Sequence, residues 1–221
     1  VQSEAEQVIT LDHISLGDIE VSDFRVVFEL LSPTVVVVSS LQADAFGGTI
    51  RTEGFLYDLE NPDVELAIQA ERLEMGDLAK LYEDFEGEVR GKVNGVIRLN
   101  WDGTTIRPGR SYLEMPPEEQ GILKVALDKP VFEEGDRPFD AAANPDSSAL
   151  STEALRYVLL NEARFELYDE DDPKSPNSLI FRGISKSIAP STEVNLRVNL
   201  NEEAGDIQRA IDFYFDSLSG R

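Results

Sequence analysis

Apolar and polar residues alternate with period two through most of the chain, which is the pattern of strands buried on one face. In residues 64–70 (VELAIQA), Val64, Leu66, Ile68 and Ala70 point one way, and Glu65 and Gln69 point the other. Residues 89–100 (VRGKVNGVIRLN) put Val89, Gly91, Val93, Gly95, Ile97 and Leu99 on one face of one expected strand. Arg90, Lys92, Asn94, Arg98 and Asn100 take most of the other face. Residues 194–201 (VNLRVNLN) repeat the pattern, with Val194, Leu196, Val198 and Leu200 against Asn195, Arg197, Asn199 and Asn201. Phe24, Val26, Phe28 and Leu30 make an earlier strand, and Leu123, Val125 and Leu127 a later one. Phe165 and Leu167 form a strand that a polar loop joins to Leu179 and Phe181. One apolar and one polar face per strand predicts an antiparallel sheet, wet on one side.

Helical spacing is confined to three short segments. Residues 76–85 offer Asp77 as an N-cap, Leu78, Leu81, Tyr82 and Phe85 as a stripe, and Gly87 as a stop. Residues 151–163 (STEALRYVLLNEA) offer Ser151 as a cap, Glu153 in the first turn, then Leu155, Val158 and Leu159. Residues 206–218 carry Ile207, Ala210, Ile211, Tyr214, Phe215 and Leu218 at helical spacing, a stripe expected to pack on the sheet or on a second copy of the chain. The Pro-bearing stretch 133–151 is the candidate long loop. The chain is therefore expected to be a single β-rich domain, 1–221, with 133–151 as its candidate point of division. A faint internal repeat, ISLGDIEV at 14–21 and LEMGDLAK at 73–80, shares an apolar-x-apolar-Gly-Asp-apolar core.

Glycine recurs along the apolar face of the 87–101 segment, and Gly47 and Gly48 fall together in "ADAFGGTIRTEGF". Interior glycine weakens a strand and gives up a packing side chain. Two readings compete: either glycine lets the sheet bend or another element lie close, or it smooths a shallow apolar trough that accepts flexible chains.

Composition narrows the class. The chain has 221 residues, 41% hydrophobic and 29% charged, in the range of globular proteins. Its formal net charge of -23 excludes a nucleic-acid partner, because nothing in it would neutralise phosphates. The same charge opposes docking onto an anionic membrane surface. Without cysteine there is no disulfide, thiolate nucleophile or Cys-based metal site. The longest purely apolar run, Val35 to Val38, is far short of the roughly 20 residues that span a bilayer. The chain begins with Val1 and shows no signal peptide, so it is expected to be a piece of a longer protein.

Candidate chemistry is sparse. His13 is the single histidine, and with no second His or Cys it reads as a surface or turn-edge residue. No Gly-x-Ser-x-Gly elbow or phosphate-binding loop occurs. The acidic run 168–173 (YDEDDP) lacks the loop pattern of an EF-hand and reads as a solvated hairpin loop. Asp and Glu are too abundant for a carboxylate pair to stand out. No catalytic residue, metal ligand or cofactor is expected, and the chain does not read as an enzyme.

The stretches 42–55, 65–110 and 109–125 (GRSYLEMPPEEQGILKV), followed by 151–168, 194–201 and the expected terminal helix, resemble in order the C-terminal part of the YdbH proteins, within the wider AsmA-like and TamB-like group. The helix entry at 75–78 and the "GEVRGKVNGVIRL" strand carry the likeness, which extends over about residues 40 to 221. The resemblance implies an elongated, curved antiparallel sheet, a β-groove, with two or three short helices. It implies a periplasmic protein tethered to the inner membrane by a segment absent from this chain, conducting glycerophospholipids toward the outer membrane. The groove lining it implies is Val64, Leu66, Ile68, Ala70, Val89, Val93, Ile97, Leu99, Val194, Leu196, Val198 and Leu200. Its partners would be phospholipid acyl chains, a protein of the outer membrane, and a second copy through residues 206–218. The competing reading is a β-rich scaffold or interaction module whose apolar face is closed by its own helices. An acidic carbohydrate-active enzyme is the third.

Overall fold

The computed structural model describes residues 5–16, 19–81, 87–125, 153, 155–167, 178–187 and 193–199. The expected helix at 206–218, the loop at 133–151, the acidic run at 168–173 and Leu200 lie outside them. Fourteen strands form one antiparallel sheet. In chain order they are β1 (Gln7–Leu16), β2 (Ile19–Leu30), β3 (Val35–Ala45), β4 (Gly48–Thr52), β5 (Phe55–Asp58), β6 (Val64–Glu74), β7 (Gly87–Arg90), β8 (Lys92–Trp101), β9 (Ile106–Pro108), β10 (Ser111–Glu114), β11 (Gly121–Val125), β12 (Val158–Leu167), β13 (Ser178–Ser185) and β14 (Glu193–Asn199). A short helix, α1 (Met75–Ala79), follows β6.

Several of these strands are pieces of longer ones. β4 and β5 continue each other along β3. β7 and β8 run along a neighbour formed by β9, β10 and β11. That neighbour pairs in turn with β12 through β10 and β11. Merged in this way, the sheet is an up-and-down meander in which each long strand pairs with the next in sequence. Such a sheet needs no crossover connections, so hairpin after hairpin can extend it in one direction. Among the described residues β1 and β14 are its two edges.

The expected single strand over 89–100 is interrupted at Gly91, whose φ of 126° no side-chain-bearing residue adopts cheaply. A Cβ there would meet Met75 Cε at 2.8 Å and the Gly121 backbone at 3.1 Å. At Gly95 a Cβ would collide with the carbonyl oxygen of Tyr112 in β10. Of the two readings of the glycines, close approach and bending therefore hold at these positions. Gly95 still lies on the apolar face, opposite Ala70.

Two helix expectations are corrected. The pattern of residues 151–163 predicts a helix; Glu153 and Leu155 are helical, with the Arg156 N–H donating to the Glu153 carbonyl at 3.2 Å, but the helix does not run on to 163. From Val158 the chain is β12, paired on both edges. Val158, Leu160 and Ala163 are 0–2% exposed, and tertiary burial overrides a weak helical period. In the other segment the helix begins at Met75, before Asp77, with Glu74 at the capping position. Asp77 sits in its first turn and pairs with Lys80 at 2.7 Å. Backbone bonds from Glu74 N–H to Phe46 O and from Met75 N–H to Gly91 O fix where α1 starts. The two copies of the faint repeat differ: the first spans the β1–β2 hairpin, the second enters α1.

The β8–β9 turn is closed by Asp102, whose Oδ1 accepts from the Thr104 and Thr105 amides at 3.0 and 2.8 Å. Those bonds, Thr105 foremost, hold its carboxyl below the usual carboxylate range. A depressed carboxyl stabilises the fold above its unfolded pKa, about 4, and that contribution is lost as pH falls through the folded value. The Thr104 and Thr105 amide resonances should therefore shift together on acidification below about pH 4, and the shift should be absent in Asp102→Asn, which keeps the acceptor but cannot titrate. Amides that stay put in the native chain would show the turn to be held otherwise.

Candidate functional site

Register fixes which side chains share a face, because directly paired residues point the same way. One transverse row reads Ile9, Val26, Leu41, Thr52, Ile68 and Ile97, from β1 to β8. A second reads Ala43, Ile50, Ala70, Gly95, Leu113, Phe165 and Leu179, from β3 to β13. At about 4.8 Å per strand step the second row spans about 29 Å along the sheet. Its members are all apolar or glycine. The first row has a single polar member, Thr52, 9% exposed, whose hydroxyl has no hydrogen-bond partner among the described residues.

Of the expected lining residues, Val64, Leu66, Ile68, Ala70, Val89, Val93, Ile97, Leu99, Val194 and Leu196 fall on this one face, and Leu200 lies outside the described residues. Val64, Leu66, Ile68 and Ala70 pair with Trp101, Leu99, Ile97 and Gly95, and Leu73 pairs with Val93 across a bulge. At the far end Val194, Leu196 and Val198 pair with Gly183, Phe181 and Leu179. The face is not uniform along the strand direction. Toward α1 it is covered: Leu73, Val93, Leu113, Leu123, Val158 and Leu160 are at most 6% exposed. Val89 belongs to that cluster, and Leu78 and Ala79 of α1 pack against it. Away from α1, Leu66, Ile68, Ile97 and Leu99 are only half-buried. Val64 is covered there, where the Tyr57 and Trp101 rings stack at 5.2 Å. Toward the β1 edge exposure rises, to 46% at Ile9 and 45% at Leu11.

The opposite face is a lattice of cross-strand ion pairs. Arg51 pairs with Glu71, Lys124 with Glu88 at 2.7 Å, Arg182 with Glu162 at 2.8 Å and Arg164 with Glu114 at 3.6 Å. The Lys124 hydrogen bond lowers the Glu88 carboxyl from its ordinary value. These pairs sit in water, so each adds little stability. Their role is to keep a broad sheet soluble and to discourage its edges from pairing with other chains. His13 is exposed in the β1–β2 hairpin, 2.6 Å from Glu20 and within reach of Ser15. Both contacts are made by Nε2 and Glu20 also binds Ser15 directly, so no relay from carboxylate through imidazole to hydroxyl exists.

Ile9, Leu41, Ile50 and Thr52 complete the rows, yet plain alternation does not single them out. Pairing between β2 and β3 shifts at Val27/Phe28, so Val38 and Leu41, three residues apart, face the same way. A bulge that resets the period hides the face from a reading by twos.

A hairpin irregularity adds the second feature of the site. Pairing between β4 and β6 runs from Thr49/Glu71 to Thr52/Ile68 and stops there. Beyond it β5 pairs with β3 but not with β6. A cleft opens between the separated strands, with Phe55 and Leu66 on its apolar side and Glu53, Glu65 and Arg98 on its charged side.

Among the described residues no helix is long and apolar enough to cross a membrane. Comparison with curated proteins and with solved structures returns no match. A family model, YdbH-like, described as "Intermembrane phospholipid transport protein YdbH", matches residues 2–110. The likeness read from the sequence begins near residue 40; the match includes the first forty residues and stops before the segments after 110. Over residues 2–110 this chain is similar to the YdbH-like family.

Proposed function

We propose that the apolar face carries glycerophospholipids between two membranes, their acyl chains lying across the strands and their headgroups in water. The carrying observation is the pair of transverse rows, one of them apolar or glycine across seven strands, on a chain whose matched family is described as transporting phospholipid between membranes. Acyl chains bind without directional bonds, so a continuous apolar track suffices to hold them and lets them slide. No step of this activity needs a catalytic group, and the family is one of transport proteins, not of enzymes. The open half, Leu66, Ile68, Ile97 and Leu99 with Val26 and Leu41, is the part we assign to lipid. Val89 and Val93 serve instead as the packed wall beneath α1. The periplasm, between an inner and an outer membrane, is the setting this reading requires.

A photo-crosslinking residue at Ile68 or Leu41 should capture phospholipid in cells, whereas one at Glu71 or Arg182 on the charged face should not. Equal capture from both faces, or none from Ile68 and Leu41, would reject the track. The scaffold reading keeps one specific support, the cluster under α1, and predicts no capture anywhere.

A further inference from the structure

We propose that the cleft between β5 and β6 is a headgroup window that selects zwitterionic over anionic phospholipid; this rests on the conduction reading above. A regular hairpin would have zipped Glu53–Asp58 against β6, yet the ladder ends at Thr52/Ile68. By strand alternation, the residues lining the cleft come from both faces of the sheet. Leu66 and Phe55 continue the apolar track to its inner lip, and Glu65, Glu53 and Arg98 stand at the outer one. A lipid whose chains lie on the track can pass its glycerophosphate through this gap without burying charge.

The charges at the outer lip match one kind of headgroup. Arg98 is the single cation lining the cleft, and its side chain is 46% exposed. Its contact with Glu65 is long, 3.7 Å, so the guanidinium can turn toward a phosphate and hold two of its oxygens. Glu65 is 70% exposed, and Glu53 is held by Gln69 Nε2 at 3.3 Å. Two carboxylates beside one guanidinium suit a phosphate carrying an ammonium arm. A headgroup with net negative charge would meet those carboxylates and the field of a chain at -23 with no ammonium to offset them.

The test loads the 221-residue chain from micelles holding equal amounts of phosphatidylethanolamine and phosphatidylglycerol of identical acyl chains, and counts bound lipid by native mass spectrometry. Phosphatidylethanolamine should exceed phosphatidylglycerol by about tenfold, because its ammonium arm satisfies the carboxylates that repel the anionic headgroup. Arg98→Gln should lower phosphatidylethanolamine loading about fivefold. The Glu53→Gln/Glu65→Gln double variant should raise phosphatidylglycerol loading until the ratio approaches one. All three side chains are on the exposed side of the cleft, and unchanged circular dichroism verifies that the variants fold. Free glycerophosphoethanolamine, lacking acyl chains, should not compete. Equal loading of the two lipids by the native chain, or a preference untouched in both variants, overturns the window and leaves the conduction reading standing. Competition by the soluble headgroup overturns the membrane-lipid source. Failure of either lipid to load removes the conduction reading and the window together.

Discussion

Val93→Asp is expected to yield an unfolded or insoluble chain, while Ile68→Asp folds and is recovered without lipid. Both positions lie on the same apolar face, and alternation ranks them as equals. The structure separates them. Val93 is 4% exposed inside the cluster that α1 covers, among Leu73, Leu113 and Leu123. A carboxylate placed there has no cation to pair with and cannot reach water, which costs several kcal/mol. Against a total stability of about 5–15 kcal/mol that is enough to unfold a marginal domain. Ile68 is half-buried on the uncovered half, where a carboxylate can turn to solvent when no lipid is bound. Its cost is the lost apolar contact, about 1 kcal/mol. In the presence of acyl chains the same charge interrupts the first row between Thr52 and Ile97. Urea melts of the two variants, with lipid extraction of the soluble one, give the result. An Ile68→Asp chain that unfolds as completely as Val93→Asp would mean that the open half is a closed core as well, and the track would have to be given up.

Gly95→Val should be the most damaging single substitution outside the covered cluster. A Cβ at residue 95 would overlap the Tyr112 carbonyl oxygen and lie 2.9 Å from Leu113 Cα, so backbone rather than a flexible side chain has to move. The β8–β10 ladder, three paired residues from Tyr112/Val96 to Glu114/Asn94, would have to separate. That ladder joins the half of the sheet before residue 101 to the half after 106. Overpacking of this kind costs about 1–3 kcal/mol even where side chains can adjust, and the loss of ladder bonds adds to it. Gly91→Ala, by contrast, meets the movable end of Met75, and its penalty is mostly the φ of 126°, about 1–3 kcal/mol. Hydrogen exchange should find the amides of β10 and β12 deprotected in Gly95→Val and those of β1 to β3 unaffected. Retention of native protection in β10 would refute the close approach.

Much of this molecule was legible in its residues alone. Period-two alternation at 64–70, 89–100 and 194–201 identified strands and the side each residue takes, because an extended backbone leaves side chains no other arrangement. It placed Val93 and Leu196 on one face, as the register from β8 through β13 to β14 bears out. The pairing of the strand holding Phe165 and Leu167 with the one holding Leu179 and Phe181 was legible too, though its register was not. The lack of cysteine ruled out disulfides and thiolate chemistry before any fold was known, and the net charge argued against a nucleic-acid partner.

Other features depend on residues far apart in the chain, and long-range packing settled those. Residues 158–163 carry a pattern compatible with helix or strand, and the two neighbouring strands resolved it as β12. The division of one apolar face into a covered and an uncovered half was invisible, because it follows from where α1 lands after β6, and not from any difference between Val93 and Ile97 as residues. The cleft at β5 and β6 left no mark in hydropathy, since a ladder that stops is a matter of hydrogen bonds between two backbones. A strand's own residues state which way each side chain points; what stands in front of that side chain belongs to the rest of the molecule.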